Sequence, residues 1–152
     1  TEPRVRELYE VMYGGDKAAA RELAPVDFLV LQPEQRQVVA GIEVLPFAVP
    51  HQSHEVSLGL KVSYQGKQLL FSGDSAWTDD FVRRAAGVDL FLCECSFFAE
   101  QPGMHVNYQA LRANLPRLQC KKLLLTHLGE DMLARRGELE VATAEDGMVI
   151  EI

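Results

Sequence analysis

The stretch Leu69-Leu70-Phe71-Ser72-Gly73-Asp74-Ser75-Ala76-Trp77-Thr78-Asp79 decides the fold. Three apolar, strand-forming residues run into Ser72-Gly73, which interrupts the strand and sets a carboxylate just past its end. Strand ends are rigid, and the loops after them are where sites are commonly built. The same layout occurs twice more. The apolar run Val44 to Val49 leads to His51, and Lys122 to Thr126 leads to His127. Imidazole nitrogen and carboxylate oxygen suit zinc and similar ions. Taken singly, each residue has an ordinary reading, as a surface or core histidine or as an aspartate in a turn. Repetition of the layout raises them together, but spacing alone leaves both readings open.

Outward from this stretch, the periodicity predicts the other elements. Val5, Leu8, Tyr9 and Met12 have helical spacing over Pro3 to Tyr13. A second short helix is expected from Asp16 through Leu23. Strands are expected at Phe28 to Leu31, Gln37 to Ala40, Ile42 to Val49 and Leu58 to Tyr64, with a hairpin turn at Gln65-Gly66. Beyond Asp74 the pattern alternates. Helices are expected at Thr78 to Ala86, Asn107 to Leu118 and Met132 to Arg136. Strands are expected at Val88 to Cys95, Lys121 to Thr126, around Val141, and at Met148 to Ile152. Strands first, then strand–helix alternation, predict an α+β (α/β) domain with helices on one side of a sheet. The whole of 1–152 reads as one domain.

The net charge is −7 and the pI about 5.1, which argues against broad nucleic-acid binding. Three cysteines, Cys93, Cys95 and Cys120, form no oxidised spacing pattern and point to a reducing, cytoplasmic compartment. Cys93 and Cys95 share one face of a strand and read as buried apolar residues rather than as a metal pair. Trp77 reads as packing. Glu130 and Asp131 read as residues of a helix start. Ser72 and Ser75 lie in no Gly-x-Ser-x-Gly elbow and are not nucleophile candidates. No apolar run approaches a membrane span.

Four segments carry a resemblance. Leu69 to Asp79 resembles the Ser/Thr-Gly-Asp-Ser/Thr segment of metallo-β-lactamase-fold hydrolases. VDLFLCECSFF (Val88 to Phe98) is similar to the strand that follows it in ribonuclease Z-like members. LLLTHLGEDML (Leu123 to Leu133) is similar to their LVLTH segment, and PFAVPHQSHEVSLGLKV (Pro46 to Val62) to the upstream segment with a ligand histidine. The four come in the family's order. The resemblance implies that Asp74 bridges two divalent metal ions, that His51 binds the first and that His127 binds the second. Zinc is the expected metal, with manganese and iron as alternatives. It implies that His105 donates a proton to the leaving group and that Glu94 orients it from behind. His54, only three residues from His51, competes with it as the ligand and otherwise stands near the site as a loop residue or a substrate contact. The implied reaction is attack of a metal-activated water on a phosphodiester or related ester.

The chain departs from the family in one respect. The family's His-x-His-x-Asp-His motif is absent, and the histidines are His51, His54, His105 and His127. The expectation is therefore the C-terminal half of a four-layer αββα sandwich, supplying the second sheet and part of the first. Two ligands per metal, where about four are usual, predict weak or absent metal binding by this chain. Exposed sheet edges predict a homodimer. The expected substrate is a small phosphodiester or RNA. A non-catalytic binding or assembly module, or a thioesterase or lactamase of the same fold, remains as an alternative.

Overall fold

The computed structural model describes residues 2–13, 28–51, 54–100 and 104–152. The chain divides into two compact units, Thr1–Leu31 and Gln32–Ile152. In the first, helix α1 (Glu2–Tyr13) forms where the apolar spacing predicts it, with Pro3 in its first turn. The expected helix from Asp16 through Leu23 lies outside the described residues.

The second unit is built on one mixed seven-stranded sheet in sequential order. Its strands are β1 (Gln37–Val39), β2 (Ile42–Val49), β3 (Ser57–Tyr64), β4 (Lys67–Phe71), β5 (Leu90–Glu94), β6 (Leu123–Thr126) and β7 (Ala142–Thr143). β1 to β4 pair antiparallel, and β4 to β7 pair parallel. The hairpin turn falls at Gln65-Gly66, both at positive φ (47° and 78°), the backbone that a tight two-residue turn demands. Helices α2 (Asp80–Ala85), α3 (Tyr108–Asn114) and α4 (Glu130–Ala134) fall between the parallel strands.

One face of the sheet makes the core. Phe47, Leu70, Phe91, Cys93 and Leu125 from the strands join Phe81 of α2, Leu111 of α3 and Met132 of α4 in a single buried cluster. Phe81 is its hub, with Phe91 at 5.6 Å and Phe47 at 6.4 Å between ring centroids. Edge-to-face and tilted aromatic contacts of this kind add to the burial of apolar area. Trp77 packs edge-on to Phe81 at 5.9 Å, which bears out its reading as packing. Gly59 lies opposite Phe47, whose ring occupies the space a Cβ would fill.

Four expectations are corrected. Phe28 to Leu31 and Met148 to Ile152 form no strand. β-propensity expresses fit to a sheet and needs a partner strand. At the C-terminus a turn from Glu145 to Met148 leads the chain off, and Val149 is 88% exposed. The expected helix Asn107 to Leu118 stops at Asn114 and continues as a 3₁₀ turn over Leu115–Arg117, because Pro116 lacks an N–H. Finally, the described strands do not divide between two sheets: pairing runs unbroken from β1 to β7.

Candidate metal centre

β2 and β4 both pair antiparallel with β3, so they run the same way, and β5 and β6 run parallel to β4. The chain therefore leaves all four strands at one edge of the sheet. His51 follows β2, Asp74 follows β4, Glu94 ends β5 and His127 follows β6. In sheets with parallel strands, the carboxyl ends are where ligand crevices form.

The Asp74 loop is tied down on both sides. Ser72 N donates to Leu92 O at 3.1 Å, and Glu94 N donates to Ser72 Oγ at 2.8 Å. Ala76 N donates to Pro50 O at 2.7 Å, which joins this loop to the one carrying His51. Gly73 has φ +62°, and a Cβ there would lie 2.3 Å from Leu58 O, so no other residue fits without displacement. The hydroxyls of Ser72 and Ser75 donate to Gly73 O and Ala76 O, consistent with structural roles.

Two carboxylates have opposite surroundings. Glu94 is 1% exposed and accepts hydrogen bonds from Ser75 N (2.6 Å), His105 Nδ1 (2.8 Å) and Ser96 Oγ (3.2 Å). Two of these bonds, from Ser75 and His105, fall on Oε1, and that from Ser96 falls on Oε2. Asp74 is 51% exposed in its side chain and accepts no hydrogen bond among the described residues. Its Oδ1 stands 3.6 Å from His127 Nδ1, too far for a hydrogen bond. Unsaturated carboxylate oxygens beside imidazoles are what a divalent cation requires.

The imidazoles gather at the same point. His105 lies 4.9 Å from His51 and 5.2 Å from His127 between ring centroids. His51 Nδ1 is 3.0 Å from Met104 O. A carbonyl only accepts, so Nδ1 carries the proton and Nε2 keeps its lone pair, the state of a metal-ligating histidine. His105 Nδ1 likewise faces the Glu94 carboxylate, which leaves Nε2 free of that contact. His127 has φ +56°, a left-handed conformation that is strained for a histidine and is found disproportionately at functional sites. Ligand-type atoms of Glu94, His105 and His127 all fall within 4.8 Å of one another. Asp74 approaches this group at His127, and His51 adjoins it through the ring of His105.

His54 is exposed and takes part in none of these contacts among the described residues. The cysteines are poor ligands: burial, then the charges of Glu94 and Asp131, push the Cys95 thiol up to about 12. Burial, then Cys95 and Glu94, raises Cys93 well above its ordinary value. Thiolates are what bind metals. Asp131 sits in the first turn of α4 and accepts from Phe98 N at 2.9 Å, a tie between β5's loop and the helix. Sequence reading passed over Ser96, 6% exposed, which touches both Glu94 and His127. Its one signal was its position two residues beyond Glu94, in the loop that leaves the strand.

A family model described as "Beta-lactamase superfamily domain" matches residues 6–128. The uncharacterized protein Rv1339 of Mycobacterium tuberculosis is 31% identical over 116 residues, 73% of this chain. The chain spans 41% of that relative's length. Among solved structures, the metallo-β-lactamase fold protein YhfI of Bacillus subtilis superposes with a TM-score of 0.69 at 22% identity, over 90% of this chain and 62% of that one. Human tRNase Z, short form, superposes with a TM-score of 0.56 at 26% identity, over 82% of this chain and 46% of that one.

Proposed function

Because the chain belongs to the β-lactamase superfamily, we propose that it forms part of a two-cation centre that hydrolyses a phosphodiester or related ester. One observation carries this reading: a half-exposed carboxylate, Asp74, free of hydrogen bonds from the described residues, stands beside a cluster of three imidazoles. In it Asp74 would be the carboxylate shared by the two cations, and His51 and His127 would each supply an imidazole nitrogen. His and Asp donors suit zinc first, and manganese or iron as well. Three donors leave each cation short of the usual four, so the centre takes further donors from elsewhere.

Bound cations would acidify a water and stabilise negative charge on the substrate. The remaining work falls to the chain's own residues. Glu94 holds His105 through Nδ1, and its burial keeps water from that contact. His105 Nε2, free of that contact, then holds a proton for the departing oxygen. In the whole protein, replacing His105 by alanine is expected to slow turnover of bis-p-nitrophenyl phosphate by about 10²–10⁴-fold, the usual size of a general-acid contribution. Metal content, measured by atomic emission, is expected to stay unchanged. Loss of metal from that variant would make His105 a ligand instead.

The surroundings favour a small substrate over tRNA. A cleft of about 640 Å³ adjoins His127 and carries Arg136, Glu145 and Asp146. Arg136 is committed to Thr143 Oγ1 (2.8 Å) and Glu145 (3.0 Å), so its charge is offset. With Asp146 added, the wall is net acidic, which disfavours a polyanion.

A further inference from the structure

We infer that Ser96 is a positioning residue that fixes the tautomer of His127 and so makes Nε2 its ligating nitrogen; this rests on the reading of His127 as a ligand. The Ser96 Oγ has three neighbours: Glu94 Oε2 at 3.2 Å, His127 Nδ1 at 3.1 Å and the His127 carbonyl oxygen at 3.1 Å. A hydroxyl has one proton to donate and two lone pairs with which to accept. Glu94 is the charged acceptor, and hydrogen bonds to ionised groups are roughly twice as strong as neutral ones. Glu94 Oε2 and the His127 carbonyl can only accept, so the hydroxyl proton goes to one of these oxygens, the charged Glu94 being the stronger acceptor. The hydroxyl's lone pairs are then what His127 Nδ1 meets, and Nδ1 must carry the ring proton. Nε2 is left with its lone pair. The opposite arrangement, with Oγ–H donating to Nδ1, would put the proton on Nε2 and bar the neutral ring from a cation.

The backbone holds Ser96 where this requires. Gly129 N donates to Ser96 O at 3.0 Å, and a Cβ on Gly129 would lie 2.4 Å from that oxygen. Residues 127–129 thus close around Ser96, with His127 held at φ +56° between them and β6. Through Ser96, Glu94 controls two rings at once: His105 directly and His127 by way of the hydroxyl. His51 reaches the same protonation pattern independently, through Met104 O.

Long-range ¹H–¹⁵N spectra of the histidines, recorded on the metal-free protein at about pH 9, above the ordinary imidazole range, test this. His127 is expected as the Nδ1–H tautomer in the wild type and in Ser96→Thr. In Ser96→Ala it is expected to lose that preference while His51 keeps its own. An Nε2–H tautomer in the wild type, or an unchanged His127 in Ser96→Ala, would overturn the inference. If Ser96→Ala does not fold, the wild-type and Ser96→Thr spectra decide. Zinc added to the wild type tests the underlying reading separately. A His127 Nε2 that shifts supports ligation, and one that stays put removes it even where the tautomer is as stated.

Discussion

In the whole protein, replacing Asp74 by alanine is expected to abolish hydrolysis of bis-p-nitrophenyl phosphate, with a fall of more than about a hundredfold. That bound exceeds the 10–100-fold typical of partners behind the ligands. The expectation follows from the contrast between the two carboxylates. Glu94 is buried and accepts from three donors, so its removal would disturb orientation. Asp74 is half-exposed and receives no hydrogen bond among the described residues, its one ion-pair contact being His127 at 3.6 Å. Its loss should therefore leave the denaturation midpoint of the metal-free protein near that of the metal-free wild type while removing activity and metal. A variant that unfolds earlier but turns over normally once folded would reverse the roles given to the two groups. Steady-state kinetics paired with a denaturant titration checks both halves.

The second large effect belongs to the residue before it. Gly73→Ala is expected to destabilise the protein by about 2–5 kcal/mol. Left-handed backbone costs an alanine roughly 1–2 kcal/mol, and forcing an atom into filled space costs about 1–3 kcal/mol more. The filled space here is backbone: the new Cβ would sit 2.3 Å from Leu58 O on β3, which cannot swing away as a side chain would. Gly66→Ala is the control. It has φ +78° but nothing within 4 Å, so only the first cost of roughly 1–2 kcal/mol applies. Urea unfolding of both variants separates the two contributions. Equal losses at the two positions would show that the close approach to Leu58 contributes nothing. Because Gly73 also aims Asp74, any folded fraction of Gly73→Ala should bind metal less well than Gly66→Ala.

Much of the fold was legible because local pattern and global structure agree. The strand Ile42–Val49 and the turn at Gln65-Gly66 fall where alternation and turn chemistry put them. The helix after Asn107 starts as expected, its cap accepting from Ala110 N at 2.8 Å, and ends early only because of Pro116. Phe28 to Leu31 looked like a strand on propensity alone, and propensity does not supply a partner.

The site was legible only in part. His51, Asp74 and His127 each stand just beyond an apolar run, and that much is visible in one dimension. Their convergence depends on β2, β4 and β6 pointing the same way, which follows from the pairing with β3 and β5 and not from spacing. The resemblance already preferred His51 to His54, and the contact of its Nδ1 with the Met104 carbonyl, 53 residues away in the chain, is not visible in one dimension. Ser96 had no distinctive signal, since its role exists only through what β6 brings beside it.

Zinc-edge anomalous diffraction from crystals of the whole protein grown with zinc tests the metal assignment most directly. Peaks are expected within about 2.0–2.2 Å of an Asp74 carboxylate oxygen, with Nε2 of His51 and of His127 at like distances. Zinc found away from residue 74, or bound by Glu94 while that aspartate stays bare, would contradict it.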